Sequence, residues 1–408
     1  MGKEVLAVNT DNLYKKYYKY KIYPNKSQSE FIDKCINLSR YIYNWALDLE
    51  IKQYELYKNQ KTDKQFLSEH DLRKLLKIHR EENEWLKEFP VEPSRYILSR
   101  VDFAFKMFFM HKNNYPKFKT KKNIKKSSLS YNIRTDRFYI NKDRVKIQGL
   151  KRGEFIDLGF ESKFGNKSGD KDFHDVKVIK DKLGDYYISF YTYERKPDNY
   201  FTELKIEPLN RGIGIDLNAR KNRRFVCSDG TIYEGTNIDS KIYKVKQYQA
   251  KHQKDYRRLE KMEKTNPDAK LSKRALKRLR TLRKSYRKIH NINEYEVHKF
   301  TKNVINMNPK FVVMENLRIV GNIASNKFVA NYIHFVPLFR YREVMEYKCN
   351  QYDIPFKLAD KDYPSSQLCS NCGHQKKMGT QLIYICPNCG LRIDRDLNAA
   401  INLEKLGY

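Results

Sequence analysis

No stretch of this chain approaches the ~20 consecutive apolar residues that a membrane-spanning helix requires. The N-terminal Met1-Gly-Lys-Glu-Val-Leu-Ala-Val8 lacks the basic flank and long apolar core of a secretory signal. Cysteine is sparse, seven in 408 residues, and four of the seven fall in two close pairs. Without an export signal, that usage argues for thiols and metal over disulfides. The expected location is cytoplasmic, associated with the nucleoid of a prokaryote. Acids are scarce beside bases: 49 Asp and Glu against 82 Lys and Arg, a formal net charge of +33. So large an excess goes beyond solubility and implies a polyanionic partner, nucleic acid first. A membrane partner is not expected. Aromatics, by contrast, are plentiful, with 31 Tyr. Their rings can stack on bases, although most will serve ordinary packing.

The length allows two to four compact units. The rest of the chain is organised around Phe311-Val-Val-Met314, an unbroken apolar run that reads as a strand buried on both faces. Glu315 ends it, and a carboxylate there is costly unless paired or bound to metal. Ile213-Gly-Ile-Asp216-Leu-Asn218 repeats the arrangement upstream, and Asp394-Arg-Asp396-Leu-Asn-Ala-Ala400 places acids at the start of a helix. A single Asp after a strand is ordinarily a turn or a helix cap. Three acids on three distant elements can instead converge, hold hard divalent cations such as Mg2+, and with two such ions cleave a phosphodiester. Asp394 and Asp396 point about 200° apart on a helix, so only one of them can face such a site.

In chain order, Tyr17–Tyr23 alternates as a strand and Pro24-Asn25 ends it. Ser27 and Glu30 match a capping box. Phe31, Cys35, Leu38, Ile42, Trp45 and Leu49 then mark a helix. Helical periodicity continues to Phe109, interrupted by Pro90 and Pro93, which makes 25–112 a helical bundle inserted after the first strand. Tyr115-Pro-Lys117-Phe-Lys119-Thr-Lys121-Lys122 is basic with aromatics interleaved; it reads as a segment that tracks phosphates, against the alternative of a solvated loop. Short alternating runs at 128–133, 138–140, 145–147, 176–179 and 186–193 indicate a small antiparallel barrel or sandwich that includes the first strand.

Asp229-Gly230, between Phe225-Val-Cys227 and Thr231-Ile-Tyr233, is a hairpin turn, so Asp229 is structural. Residues 241–290 carry nineteen Lys or Arg against four acids. Two helices are expected there, divided at Asn266-Pro267, with Leu276, Leu279, Leu282, Tyr286 and Ile289 on one face of the second. They pack on the core and also form a phosphate-binding ridge that includes Lys277, Arg278 and Arg280. A helix over 336–352 and a strand at 356–360 complete an α/β pattern.

Cys369-Ser-Asn-Cys372 and Cys386-Pro-Asn-Cys389 lie thirteen residues apart, each followed by Gly. Four thiolates in two knuckles suit one tetrahedral Zn2+, and four protein ligands leave no open position, so the site is structural. His374 is an alternative ligand that this set does not need. The module is too short to bury much core, so the metal is expected to fold it. Cys35, Cys227 and Cys349 read as ordinary buried residues.

Taken together, these residues resemble the TnpB (OrfB) family of transposon-encoded, RNA-guided DNA nucleases. The marks are Ile22-Tyr-Pro24, Tyr43-Asn-Trp-Ala46, Tyr115-Pro-Lys-Phe-Lys119, Gly214-Ile-Asp216, Met314-Glu-Asn-Leu317, Pro364-Ser-Ser-Gln-Leu-Cys-Ser-Asn-Cys-Gly373, Cys386-Pro-Asn-Cys-Gly390 and Asp394-Arg-Asp-Leu-Asn-Ala-Ala400. The resemblance implies a multi-domain α+β chain with a RuvC-like (RNase H-like) nuclease core at 208–365 and 391–408. It implies a zinc-binding, target-nucleic-acid-binding insert at 366–390. A wedge-like antiparallel β-barrel at 1–24 and 113–207 would be interrupted by a helical recognition lobe at 25–112.

The resemblance selects Asp216, Glu315 and Asp396 as catalytic acids holding two Mg2+. It also implies a guide RNA from the transposon end, and double- and single-stranded target DNA read beside a short adjacent motif, with one site cutting the strands in turn. Asn218 stands where the family often has Gly. A compact type V CRISPR effector shares this core, and flanking DNA would separate the two. A nuclease-dead repressor would lack an acid, and all three are present. A DNA transposase would need a strand-transfer activity that nothing in the sequence demands.

Overall fold

The computed structural model describes residues 12–119, 129–132, 138–164, 173–220, 223–266, 268–316, 334–379 and 381–407. They form two compact units: Lys15–Glu194, and Arg195–Tyr408 together with the N-terminal residues through Tyr14.

The first unit holds β1 (Leu13–Tyr23), α1 (Lys26–Lys58), α2 (Glu69–Glu82), α3 (Val91–Phe109), β2 (Leu129–Asn132), β3 (Tyr139–Ile140), β4 (Arg144–Lys146), β5 (Ile156–Leu158), β6 (His174–Lys180) and β7 (Tyr186–Arg195). The seven strands form one sheet in the order β2-β6-β7-β1-β5-β4-β3. The expected barrel is only a half-barrel, because β2 and β3 end the sheet without meeting. Closure needs strands long enough to pair around a ring, and β3, β4 and β5 span two or three residues each. The start of α1 fills the concavity instead, packing Ile32, Cys35 and Ile36 against Tyr20, Ile22, Val178 and Phe190.

The rest of α1 forms a bundle core with α2 and α3, through Leu38, Ile42, Leu47, Leu72, Leu98 and Phe105. α1 starts two residues earlier than the Ser27–Glu30 pattern suggests. Asn25 is the cap: its side chain accepts from the Gln28 amide at 2.9 Å, and Gln28 Oε1 accepts from the Asn25 amide at 3.0 Å. Ser27 instead donates to Asn25 Oδ1. Asn is as good a cap as Ser, and Pro24 has already ended the strand.

The second unit holds α4 (Tyr200–Glu203), β8 (Ile213–Arg220), β9 (Arg223–Cys227), β10 (Ile232–Tyr233), α5 (Asp239–Glu263), α6 (Lys273–Ile305), β11 (Val312–Met314), α7 (Leu338–Gln351), β12 (Phe356–Leu358), β13 (Ile383–Ile385), β14 (Arg392–Asp394) and α8 (Arg395–Glu404). A five-stranded sheet runs β10-β9-β8-β11-β12. β9 and β10 are antiparallel, while β11 lies parallel between β8 and β12.

One face of this sheet is covered by Val297, Phe300 and Val304 of α6 with Tyr341, Val344 and Met345 of α7. On the other face Val313 packs with Leu403 of α8. β11 is therefore buried on both sides, as its unbroken apolar run suggests. α6 extends fifteen residues beyond the expected end at 290. It changes partners along its length: Leu282 and Ile289 pack with Val245 of α5, and the later apolar residues pack on the sheet.

Candidate active site and metal centre

The β8–β11 register pairs Ile215 with Met314, which sets Asp216 and Glu315 side by side on neighbouring strands. The Glu315 amide donates to the Ile215 carbonyl at 3.1 Å, and Glu315 Oε2 accepts from the Leu217 amide at 3.3 Å. Asp216 is not at a strand end, because β8 continues to Arg220 against β9. It stands where the pairing with β11 stops. Asn218 Nδ2 donates to Asp216 Oδ2 at 2.7 Å.

The third acid arrives on α8, which lies directly on β8. A Cβ on Gly214 would fall 2.0 Å from the Ala400 carbonyl oxygen, so only a bare backbone admits the helix. Arg211 Nε fixes the far end of α8 through Glu404 Oε1 at 2.9 Å. Asp394 and Asp396 then divide their work. Asp394 Oδ1 caps α8, accepting from the Asp396 and Leu397 amides at 3.0 Å each. Both Asp394 oxygens also take the Arg223 guanidinium, at 2.6 and 2.9 Å. Asp396 is 3% exposed and is held from its own turn by Arg395, at 2.9 and 3.1 Å.

The electrostatics agree with one shared site. Burial, then repulsion from Glu315 and Asp396, pushes the Asp216 carboxyl well above the usual range. Burial, reinforced by the Asp396 charge, raises Glu315 to about 7. Asp394 moves the other way: its burial is outweighed by the Arg223 pair and the two amides. Carboxylates that repel one another in a water-poor recess are the donor type a hard divalent cation takes, which removes the repulsion that otherwise protonates them; among the described residues, however, only the four cysteines bring their ligand atoms within 4.8 Å of one another.

The four cysteines close more tightly, their sulfurs all within 4.8 Å of one another. Cys369–Cys389 and Cys372–Cys386 are each 3.6 Å apart. Four bonds of ~2.3 Å around a tetrahedral zinc give edges near ~3.8 Å, so this cage fits that ion. Each knuckle turns on a left-handed glycine. Gly373 (φ 74°) and Gly390 (φ 71°) donate back to the first cysteine of their pair, at 2.9 and 3.1 Å. Burial lifts the Cys369 thiol to about 11, while the Asn388 amide and the local backbone hold Cys372 near 6.

Sequence reasoning missed what joins this cage to the acids. The β13–β14 ribbon ends at Asp394, the cap of α8. Asn398, fully buried, accepts from the Ser370 amide at 2.9 Å and donates to the Leu368 carbonyl at 2.6 Å. Asn402, one turn on, donates to Ser365 and Leu368 at 2.9 and 2.8 Å. Two asparagines four apart on the acid-bearing helix were the available signal.

Of the expected nucleic-acid contacts, Lys277 and Arg280 are exposed on α6. Arg278 is engaged instead: Nε donates to Asp255 Oδ2 at 2.8 Å, and a second, shorter bond completes a fork that ties α6 to α5. Lys117 is exposed. The Lys119 backbone is clamped both ways by Asn44, at 2.8 and 2.9 Å, with its ammonium 3.7 Å from the Tyr43 ring centre. Lys121 and Lys122 lie outside the described residues.

Residues 339–403 match a family described as "Cas12f1-like, TNB domain", and residues 14–60 match the "Helix-turn-helix domain" of IS605 OrfB proteins. In this structure 14–60 is mostly strand β1 and the unbroken helix α1. The chain is 25% identical over 396 residues to a Streptomyces pristinaespiralis protein provisionally named an RNA-guided DNA endonuclease, covering 96% of this chain and 89% of that one. It is 29% identical over 200 residues to a TnpB-like protein of Methanocaldococcus jannaschii, covering 47% and 67%. A solved Cas12f1–sgRNA–target DNA complex matches with a TM-score of 0.53 at 16% identity, covering 93% of this chain and 83% of that one, a likeness of fold.

Proposed function

The chain belongs to the TnpB (OrfB) family, and on that premise we propose that it is a transposon-associated, RNA-guided DNA endonuclease that cuts beside a short adjacent motif. One observation supports the reading at particular residues: Asp216 and Glu315 stand on neighbouring parallel strands, the helix bearing Asp396 lies across them, and the Glu315 and Asp396 charges both raise the Asp216 carboxyl. The strand order β10-β9-β8-β11-β12, three antiparallel strands followed by two parallel ones, supports assigning this unit to a RuvC-like core.

Two Mg2+ ions held by those acids would supply Lewis acidity and a water of lowered pKa. The chain supplies the rest. Asp216, whose carboxyl is raised by both Glu315 and Asp396, would hold the ions together with those two acids. Asn218, the Leu217 amide and Arg395 orient one carboxylate each. The Cys369, Cys372, Cys386 and Cys389 cage takes one structural Zn2+.

Residues 366–390 are then the target-nucleic-acid-binding insert, 25–112 the recognition lobe, and 1–24 with 113–207 the wedge. Guide RNA from the transposon end pairs with the target strand, while Lys117, Lys119 and the α5–α6 ridge hold phosphates. The test is cleavage of a matched target by Asp216→Ala and Glu315→Ala, with guide and target binding followed in parallel. Cleavage should vanish and binding persist. If Asp216→Ala still cuts, the reading is wrong. A CRISPR array rather than transposon ends beside the gene would favour the compact type V effector.

A further inference from the structure

The unit Lys15–Glu194 carries a second charged recess that has no part in the acid site. It is a pocket of about 640 Å3 on one side of α2, walled by Arg73, Lys74, Lys77 and Arg80, by one acid, Glu81, and, from beyond the helix, by Lys87 and Arg95. Arg73, Lys77 and Arg80 follow at four and three residues, so they share a helix face.

The cations are not equally occupied. Arg73 is paired with Glu69, and Lys87 with Glu84. Lys74 and Lys77 are exposed and have no ion pair among the described residues. Arg80 is half-buried. Its Nη2 donates to the Phe89 carbonyl at 3.1 Å, while its Nη1 is buried without a hydrogen-bond partner. A buried guanidinium N–H left without an acceptor is costly. A phosphate oxygen is the acceptor whose charge and geometry such a group fits best.

We propose that this recess is a phosphate-binding site for a nucleic-acid strand, with Arg80 as the inner contact and Lys74 and Lys77 as the flanking ones. A strand is favoured over a free anion because the chain carries a net charge of +33 and the lysines extend the recess along the helix. The site is independent of the acid cluster, so its failure would leave the nuclease assignment untouched.

The full-length protein is titrated with single-stranded RNA and, separately, with duplex DNA over a series of NaCl concentrations. Arg80→Gln and the pair Lys74→Gln/Lys77→Gln are compared with wild type and with Lys52→Gln, an exposed change on α1. Each lost phosphate contact lowers the slope of log affinity against log salt by ~0.7–0.9. The expected result is a drop of that size for Arg80→Gln and about twice that for the lysine pair, on whichever strand the site holds, with Lys52→Gln unchanged. Wild-type slopes for both variants on both strands would overturn the proposal. The lysine pair decides if Arg80→Gln fails to fold. Inorganic pyrophosphate that raises the melting temperature of wild type but not of Arg80→Gln, with strand slopes unchanged, would assign the pocket to a free oligophosphate and overturn the strand assignment.

Discussion

The Ala400 carbonyl oxygen lies where a side chain on Gly214 would begin: a Cβ there would stand 2.0 Å from it and 2.4 Å from the Glu404 amide nitrogen. Helix α8 therefore rests on the bare backbone of β8, and that contact brings the Asp396 charge near enough to raise the Asp216 carboxyl. Gly214→Ala should lower stability by about 1–3 kcal/mol through overpacking and should cut cleavage well beyond what the lost stability explains. Gly379→Ala, which meets nothing within 4 Å, is the control. Normal cleavage by Gly214→Ala would mean that the acids do not depend on this seating.

Asp394 and Asp396 should separate by the kind of damage their loss does. Asp396→Asn is expected to abolish cleavage with little change in melting temperature. Asp394→Asn keeps a capping oxygen but loses the charge of the fork to Arg223, so it should unfold slightly earlier, by up to about 1 kcal/mol, yet still cut. A dead Asp394→Asn beside an active Asp396→Asn would reverse the assignment.

Metal analysis should find about one zinc per chain, the stoichiometry of a four-cysteine cage, and Cys372→Ser/Cys386→Ser should lose it. Asn398→Ala tests the clamp between cage and helix. It leaves the part-buried Ser370 amide without its acceptor, a cost of up to about 1–3 kcal/mol. The expected outcome is retained zinc with reduced cleavage; zinc loss in this variant would show that the asparagine serves the cage itself.

Glu50 gives a pH dependence outside the metal sites. It is fully buried, with Oε2 accepting from the Leu67 amide at 2.9 Å. Burial, resisted by that amide but aided by the Asp102 and Asp71 charges, raises it to about 7. The folded state therefore binds this proton more tightly than the unfolded chain, whose Glu titrates near ~4.3. Its contribution is full below about pH 4 and is lost as pH rises through 7. Glu50→Gln should match wild type in acid and exceed it in melting temperature at pH 8. Parallel melting curves for the two proteins from pH 4 to 8 would refute this.

On the basic ridge, Lys277→Gln/Arg280→Gln should reduce the salt slope of RNA or DNA binding by ~0.7–0.9 per contact without altering the melting temperature. Arg278→Gln should do the opposite. It strands Asp255, which the Arg278 fork holds below its ordinary range, and so it loosens the α5–α6 hairpin more than it weakens binding.

Features set by a single local rule were legible in the sequence. The apolar run before Glu315, the knuckle spacing, the Asp229-Gly230 turn and the helical stripe behind Asn25 each announce one element. Features decided by partners were not. β5 is three residues long, too short to show alternation. The end of α6 was misplaced because its apolar stripe shifts from α5 to the sheet, which breaks a single periodicity. Closure of the half-barrel depends on strand lengths set elsewhere and on α1 entering the concavity. Within the acid site the carboxylates stood out, while Asn398, Asn402 and Arg223 did not. Their roles are hydrogen bonds to residues far away in sequence, and a lone polar residue does not advertise its partner.

Helix α6 contains neither glycine nor proline from Lys273 to Ile305. At ~1.5 Å per residue its 33 residues make a strut of about 50 Å. One end is studded with cations, and the other is wedged beneath the strands that carry Asp216 and Glu315. With no hinge along it, a polyanion gripped at the cationic end sits at a fixed distance from the carboxylates. The helix then acts as a ruler, and inserting four residues near its middle would move the grip by ~6 Å while turning it by only ~40°.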